Sequence, residues 1–305
     1  MPNSELKLSN PYNSIALALV FLLLLLSIRA WAGLIRAVAN RQPWLNWSDE
    51  PRATWSSFSE RTVVALGILM LALHLIPKFA PSPGDDPKTV VEHVEYTEHA
   101  EPVDGVHSSN PSLKLLIPNL ILSLGIALVL PAILICSDRP MAVFGIKFHS
   151  FIAQARDGVN GFLLALAPMG ILMLATSQYR TRETQNTLLT LLSDSPDPFT
   201  IATIWIAAVV IAPLYEEMLF RVILQGWLST KVKANEALAI TAVAFAAIHG
   251  ITDGIALIPL ALILGYVFHR RHSYVSVLVI HGLFNATMLT LALLIQSSTD
   301  MPSPH

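Results

Sequence analysis

Residues 201–228 read IATIWIAAVVIAPLYEEMLFRVILQGWL, an apolar stretch that contains two adjacent glutamates and an arginine. The stretch is long enough for a helix that crosses a bilayer, which takes about 20 residues. Charged groups inside such a helix cost free energy unless they are paired, and they are a mark of function. We therefore interpret Glu216, Glu217 and Arg221 as parts of a site inside the membrane.

The composition of the whole chain agrees with a membrane protein. Of its 305 residues, 53% are hydrophobic and 13% are charged, against about 25% charged residues in soluble domains. The mean hydropathy is +0.58. Apolar runs recur at 15–28, 62–77, 113–136, 159–177, 199–220, 237–251, 255–268 and 274–295. We predict an all-α fold, a polytopic membrane helix bundle of about eight transmembrane helices.

The first half of the chain is expected to be a separate membrane region. Residues 1–158 hold three of the apolar runs and an acidic extramembrane loop at 81–112. We interpret the first run as a retained helix rather than a cleaved signal peptide, because arginines follow it. The loop contains His93, His99 and His107. We expect it to be solvated, with metal capture by these histidines as the less favoured alternative.

Cysteine count and charge exclude several classes of protein. Cys136 is the only cysteine, so internal disulfides and cysteine metal clusters are excluded. The net charge of −2 argues against a nucleic-acid partner, which would need a basic face. The expected partners are the lipid bilayer and a membrane-associated peptide or protein.

Helical spacing indicates which polar residues of the later apolar runs share a helix face. Residues four apart share a helix face, so Glu217 can pair with Arg221 and His281 can lie beside Asn285. Glu216 then points in another direction and can face a cavity. We interpret the pair of Glu217 and Arg221 as support that holds Glu216 in position.

Counting along the helices predicts that a histidine of another apolar run lies at a similar depth in the membrane. Measured along ideal helices from the loop at 230–235, Glu216 and His249 both lie at about 21 Å. His281 lies at about 12 Å and Asn285 at about 18 Å on the same scale. We therefore expect a carboxylate, two imidazoles and an amide at comparable depth.

These residues form three motifs that resemble those of a known family. Glu216-Glu217-Met-Leu-Phe-Arg221 is similar to EExxxR, Phe245-Ala-Ala-Ile-His249 to FxxxH, and His281-Gly-Leu-Phe-Asn285 to HxxxN. The motifs are those of the CPBP intramembrane proteases, which include CAAX prenyl proteases of the Rce1 type and bacteriocin-processing proteins. The resemblance implies a catalytic helix bundle at 159–296, followed by a C-terminal tail at 297–305.

The implied activity is that of a CAAX-protease-like intramembrane endopeptidase acting on a membrane-associated or lipid-anchored substrate. Such hydrolysis needs an activated water and a stabiliser for the oxyanion. We assign Glu216 to polarise the water, with His249 holding or deprotonating it. His281 and Asn285 are assigned as donors to the oxyanion. The expected location is the bacterial plasma (inner) membrane.

Two alternatives stay open at the level of sequence. Glu216, His249 and His281 could together bind zinc, as in a metalloendopeptidase. We favour a site without a cofactor, because the HExxH spacing of zinc proteases is absent and Asn285 suits oxyanion binding better than zinc ligation. The second alternative is an ion- or proton-coupled transporter, since buried Glu, His and Asn residues also carry protons or bind ions.

Overall fold

The structure, a computed structural model, describes the helical regions that surround the candidate site. The described residues are 11–45, 141–147, 149–179 and 197–299, with individual helical residues between 65 and 128. They form helices and turns, with no strand among them, which confirms the all-α prediction. The acidic loop at 81–112, Cys136 and most of the tail at 297–305 lie outside the described residues.

Six main helices follow one another along the described chain. They are α1 (Pro11–Ala39), α2 (Phe151–Ala175), α3 (Pro198–Leu228), α4 (Ala234–Ala247), α5 (Ile251–Arg271) and α6 (Tyr274–Thr299). Within this part of the chain, five are long and apolar enough to cross a membrane, and α4 is shorter. The predicted count of about eight is therefore not confirmed, and most of the runs at 62–77 and 113–136 lies outside the described residues.

Helix α3 begins at a capped N-terminus. The Asp197 carboxylate accepts hydrogen bonds from the backbone N–H groups of Phe199 and Thr200, at 3.1 and 3.0 Å. Pro198 occupies the first turn, where its lack of an N–H costs nothing. Hydrogen bonds from Thr200, its side chain foremost, hold the pKa of the Asp197 carboxyl below its ordinary value. The cap therefore fixes the residue at which α3 begins.

Helix α3 is irregular where it approaches the candidate site. It has π-helical turns at Ala207–Ile211 and Met218–Gln225, and the Ala212 N–H donates to the Ala207 carbonyl, five residues back. In that register the next donor would be residue 213, which is a proline and has no N–H. The Ala208 carbonyl instead accepts a hydrogen bond from Asn285 Nδ2 of α6, at 2.6 Å. A side chain of α6 therefore completes the backbone bonding of α3.

Helices α2 and α6 make a close contact through glycine and polar residues. A Cβ atom at Gly158 would lie 2.7 Å from Val279 Cβ, so only glycine permits this approach. Ser273 caps α6 by accepting from the Ser276 N–H at 3.1 Å. The hydroxyl of Ser276 donates to the Gln154 carbonyl at 2.9 Å. These contacts hold the start of α6, and hence its later turns, against α2.

Helix α1 lies at the outside of the bundle and contacts α2. Trp31 donates from its indole N–H to the Leu164 carbonyl at 3.1 Å. The segment that follows α1 reaches α5, where Arg270 donates to the Leu45 carbonyl and Trp44 stacks on Tyr266 with 5.9 Å between ring centroids. The other side of α1 exposes large apolar side chains along its length. Such a face suits contact with lipid, and the chain is an integral membrane protein.

Candidate active site

The charged pair predicted on α3 is present and fully buried. Arg221 Nε donates to Glu217 Oε2 at 2.9 Å, and neither side chain is exposed. The two residues lie one helical turn apart, as the sequence predicted. Because each charge is balanced by the other, the pair lowers the cost of placing ions among apolar side chains.

The same glutamate also orients a histidine of α6. Glu217 Oε1 and His281 Nδ1 lie 2.9 Å apart. An ionised carboxylate only accepts hydrogen bonds, so Nδ1 carries the proton and Nε2 faces away from Glu217. The sequence predicted that Glu217 supports Glu216. The structure adds a direct hydrogen bond from His281 to Glu217.

The histidine that follows α4 is oriented by the backbone of that helix. His249 Nδ1 lies 2.7 Å from the Phe245 carbonyl oxygen. Since a carbonyl oxygen only accepts, Nδ1 is the donor and Nε2 is left for the interior of the site. The chain turns immediately afterwards at Gly250, whose φ of 82° favours glycine. This turn separates α4 from α5 and leaves the His249 side chain 18% exposed.

Glu216 lies between the two histidines. Its Oε2 atom is 3.8 Å from His249 Nε2 and 3.9 Å from His281 Nε2. The sequence predicted that these three side chains and Asn285 meet at one depth, and the two separations confirm the meeting for the three. Both separations are too long for direct hydrogen bonds, and a polar gap of this size fits one bridging water molecule. In their neutral forms both Nε2 atoms are hydrogen-bond acceptors.

Asn285 lies one turn beyond His281 on α6, and its side-chain amide contacts the backbone of α3. One hydrogen of Nδ2 is donated to the Ala208 carbonyl, and the amide carries a second hydrogen. The structure thus joins Glu216, His249 and His281 by short polar separations, with Glu217 and Arg221 behind them. Asn285 contacts the α3 backbone at the Ala208 carbonyl.

The aromatic ring of Phe245 packs beside both histidines and Arg221. The Phe245 ring centroid lies 4.7 Å from that of His249 and 5.7 Å from that of His281. The Arg221 guanidinium carbon lies 5.3 Å from the same centroid, within the range of a cation–π contact. Phe245 is fully buried. The phenylalanine of the FxxxH motif therefore packs against every cationic or imidazole group of the site.

Sequence reasoning missed two residues that support the site. Tyr274 donates from its hydroxyl to the Leu214 carbonyl, two residues before Glu216. Gln225 is buried and donates from Nε2 to the Gly265 carbonyl of α5 at 2.8 Å. Gln225 lies four residues after Arg221, so helical spacing could have found it. For Tyr274 the sequence carries no signal, because its partner is a backbone atom of another helix.

Metal binding was the alternative use of the three central side chains. A carboxylate and two imidazoles with free Nε2 atoms are donors that zinc accepts. In the described part of the chain, no group of three or more His, Cys, Asp or Glu residues is arranged to hold a metal ion. Glu216 Oε2 lies 3.8 and 3.9 Å from the Nε2 atoms of His249 and His281.

Comparison with known protein families places this site in a class. Residues 198–287 match the family model described as type II CAAX prenyl endopeptidase Rce1-like. The matched range begins with α3, ends just after Asn285 and contains all six candidate residues. The chain is therefore an integral membrane protein in which residues 198–287 are similar to a protease family.

This match over residues 198–287 confirms the resemblance drawn from the three motifs. Comparison with curated proteins gives no match, and comparison with solved structures gives none.

Proposed function

We propose that the protein is an intramembrane endopeptidase that hydrolyses a peptide bond of a membrane-associated or lipid-anchored substrate. The observation that supports this most directly is the approach of two imidazole Nε2 atoms to one oxygen of Glu216, at 3.8 and 3.9 Å. The Rce1-like match supports a peptidase at the level of the family. The substrate class and the mechanism below are parts of the proposal.

In the proposed reaction, a water molecule lies between Glu216 and His249. Glu216 accepts a proton from this water as the water oxygen attacks the carbonyl carbon of the substrate, and it returns the proton to the leaving amine as the C–N bond breaks. His249 holds the water through Nε2, which is available because Nδ1 donates to the Phe245 carbonyl. The hydrogen bond to the backbone thus selects the ring nitrogen that faces the water.

The developing oxyanion is proposed to receive hydrogen bonds from α6. Asn285 has one amide hydrogen left after its bond to Ala208. His281 can donate from Nε2 when it is protonated, with Glu217 on Nδ1 balancing the charge. Donors of this kind are worth about 3 to 4 kcal/mol each in the transition state. His281 is 3% exposed, so little bulk water competes for the oxyanion.

The site is proposed to work without a metal ion, with zinc as the alternative. Metal-free hydrolysis needs a base, a bound water and oxyanion donors, and Glu216, His249, His281 and Asn285 can act as the base, hold the water and donate to the oxyanion. The transporter alternative has no support among the described residues or in the family match.

Cleavage by the purified full chain tests the proposal. The protein in proteoliposomes is incubated with a library of lipid-anchored peptides, and the products are identified by mass spectrometry. We expect cleavage that persists with a chelator and disappears in Glu216→Ala, while Glu236→Ala on the exposed start of α4 cleaves normally. Loss of cleavage with the chelator, restored by added zinc, would favour the metal alternative. Proton-coupled solute flux that depends on Glu216 would contradict the peptidase assignment.

A further inference from the structure

A hydrogen bond from α6 reaches the helical turn of α3 that carries the two glutamates. The Met218 N–H donates to the Leu214 carbonyl. This bond closes the turn that contains Glu216 and Glu217. The Tyr274 hydroxyl of α6 donates to the same carbonyl. A carbonyl oxygen has two lone pairs, so Leu214 accepts one hydrogen bond from its own helix and one from its neighbour.

This turn lies where α3 changes its hydrogen-bonding register. The α-helical segment ends at Glu217, and π-helical turns begin at Met218. The Met218 N–H is shared between the Leu214 and Tyr215 carbonyls, a three-centre bond of the kind found at helix termini. In a π register, the donor to the Leu214 carbonyl would be Leu219, five residues later. Extension of the π register into this turn would therefore rotate both glutamates relative to the histidines.

Tyr274 is held at both of its ends. Its backbone N–H donates to the Gly145 carbonyl at 2.8 Å. Gly145 has a φ of 80°, and a Cβ atom there would lie 3.1 Å from Phe268 of α5, so glycine is required at this turn. Tyr274 is buried, and its planar ring connects the Gly145 turn to the Leu214 carbonyl. The ring therefore fixes the distance between that turn and α3.

Three contacts with α3 come from one face of α6. Tyr274, His281 and Asn285 follow one another at spacings of seven and four residues, which places them on the same side of a helix. His281 bonds to Glu217, and Asn285 donates to the α3 backbone. The proposed reaction uses His281 and Asn285 as donors to the oxyanion. The Tyr274 hydroxyl is bonded to the α3 backbone, so its part in the site is to hold α3.

We propose that Tyr274 is a positioning residue for Glu216. Its hydroxyl keeps the turn after Leu214 in the α-helical register. That register holds Glu216 Oε2 at 3.8 and 3.9 Å from the Nε2 atoms of His249 and His281. The effect on catalysis rests on the proposed function, in which Glu216 is the base, whereas the geometry can be measured without a substrate.

The kinetics of Tyr274→Phe test this role, because the substitution removes the hydroxyl and keeps the ring. For a peptide that the unmodified protein cleaves, we expect kcat to fall about tenfold and KM to stay within about twofold, since a displaced base costs rate without changing the surface that binds substrate. Tyr266→Phe on α5 is the matched control. It keeps the ring that stacks on Trp44 and should cleave normally. An unchanged kcat in Tyr274→Phe would refute the proposal.

A second background separates positioning from a loss of folded protein. If Tyr274 acts through Glu216, Tyr274→Phe should hardly change the residual cleavage by Glu216→Gln. A purely structural role would lower the rate by the same factor in both backgrounds, and that result would overturn the proposal. Glu216→Gln that cleaves like the unmodified protein would instead contradict the proposed function.

Solid-state NMR of the full chain in liposomes tests the geometry without a substrate. Glutamate carries ¹³C at its carboxyl and histidine carries ¹⁵N in its ring, so dephasing of the Glu216 signal by ¹⁵N reports how close the imidazoles lie. The Glu216 signal is assigned by its loss in Glu216→Gln. We expect dephasing in the unmodified protein and in Tyr266→Phe, and a partial loss of it in Tyr274→Phe. Equal dephasing in all three proteins would refute the positioning role, whether or not a substrate is cleaved.

Discussion

Helices α1 and α3 are both long and apolar, but their side chains have different surroundings. Their best 18-residue windows have mean hydropathies of 2.4 and 1.9. Only 11% of the window in α1 is buried inside the protein, against 39% in α3. Helix α1 turns leucine and isoleucine side chains outward, whereas α3 turns two glutamates, an arginine and a glutamine inward.

The comparison shows that hydropathy and polar residues report different properties of a membrane helix. Hydropathy indicates that both helices can cross a bilayer. The buried ion pair of α3 indicates a helix surrounded by protein, because charges in contact with lipid are costly. In α1, Trp31 donates a side-chain hydrogen bond to another helix. We therefore expect substitutions in α3 to affect activity and stability, and most substitutions in α1 to affect neither.

The largest expected effect is on catalysis. Glu216→Gln should lower the rate of peptide cleavage by about 10²- to 10⁴-fold, because glutamine cannot take the proton from water. Cleavage of a substrate from the library is followed by mass spectrometry. Glu236→Gln is the matched control on the exposed surface, where glutamine keeps an oxygen for the Lys233 N–H. Near-normal cleavage by Glu216→Gln would remove Glu216 from the proposed mechanism.

The next largest effect is on stability within α3. Arg221→Ala should lower the free energy of unfolding by about 3 to 5 kcal/mol, because Glu217 stays buried without its partner. Unfolding by SDS, followed by circular dichroism, measures the change. Arg221→Lys keeps the charge but loses the planar donor group, and should cost less. If Arg221→Ala were as stable as a lipid-facing variant of α1, the contrast between the two helices would fail.

A smaller effect is expected where α6 completes the backbone bonding of α3. Asn285→Ala should lower the free energy of unfolding by about 1 to 3 kcal/mol, because the buried Ala208 carbonyl loses its donor. Pro213→Ala restores an N–H at the position that can reach that carbonyl. In a double-mutant cycle, Asn285→Ala should therefore cost less when Pro213→Ala is present. Equal costs in both backgrounds would show that Pro213 does not create the need for Asn285.

The smallest effects are expected in α1. Ile28 is 55% exposed, so Ile28→Ala should change the free energy of unfolding by less than about 0.5 kcal/mol. Trp31→Phe removes the hydrogen bond to the Leu164 carbonyl and should cost about 1 kcal/mol. Unfolding by SDS compares the free-energy cost of the two substitutions within the same helix. A larger cost for Ile28→Ala than for Trp31→Phe would indicate that a partner other than lipid covers the outer face.

Much of the candidate site was predictable because helices have regular geometry. A spacing of four residues predicted the pair of Glu217 and Arg221, and counting along helices placed Glu216 and His249 at one depth. Both predictions are confirmed by the 2.9 Å and 3.8 Å separations. The limits of the helices were less predictable. Helix α3 continues past the apolar run at 199–220 to Leu228, because its last turns bury polar residues such as Gln225 that break the run without breaking the helix.

The sequence by itself determined that the chain is helical, that it crosses a membrane and which polar residues belong inside. These properties follow from local spacing and from the cost of charge in hydrocarbon, and both can be calculated from residue order. Only the tertiary structure decided that Glu217 binds His281, that Asn285 reaches Ala208 and that Gln225 reaches the Gly265 carbonyl. Those contacts depend on the rotation and crossing of separate helices, and they involve backbone atoms that have no residue type to reveal them.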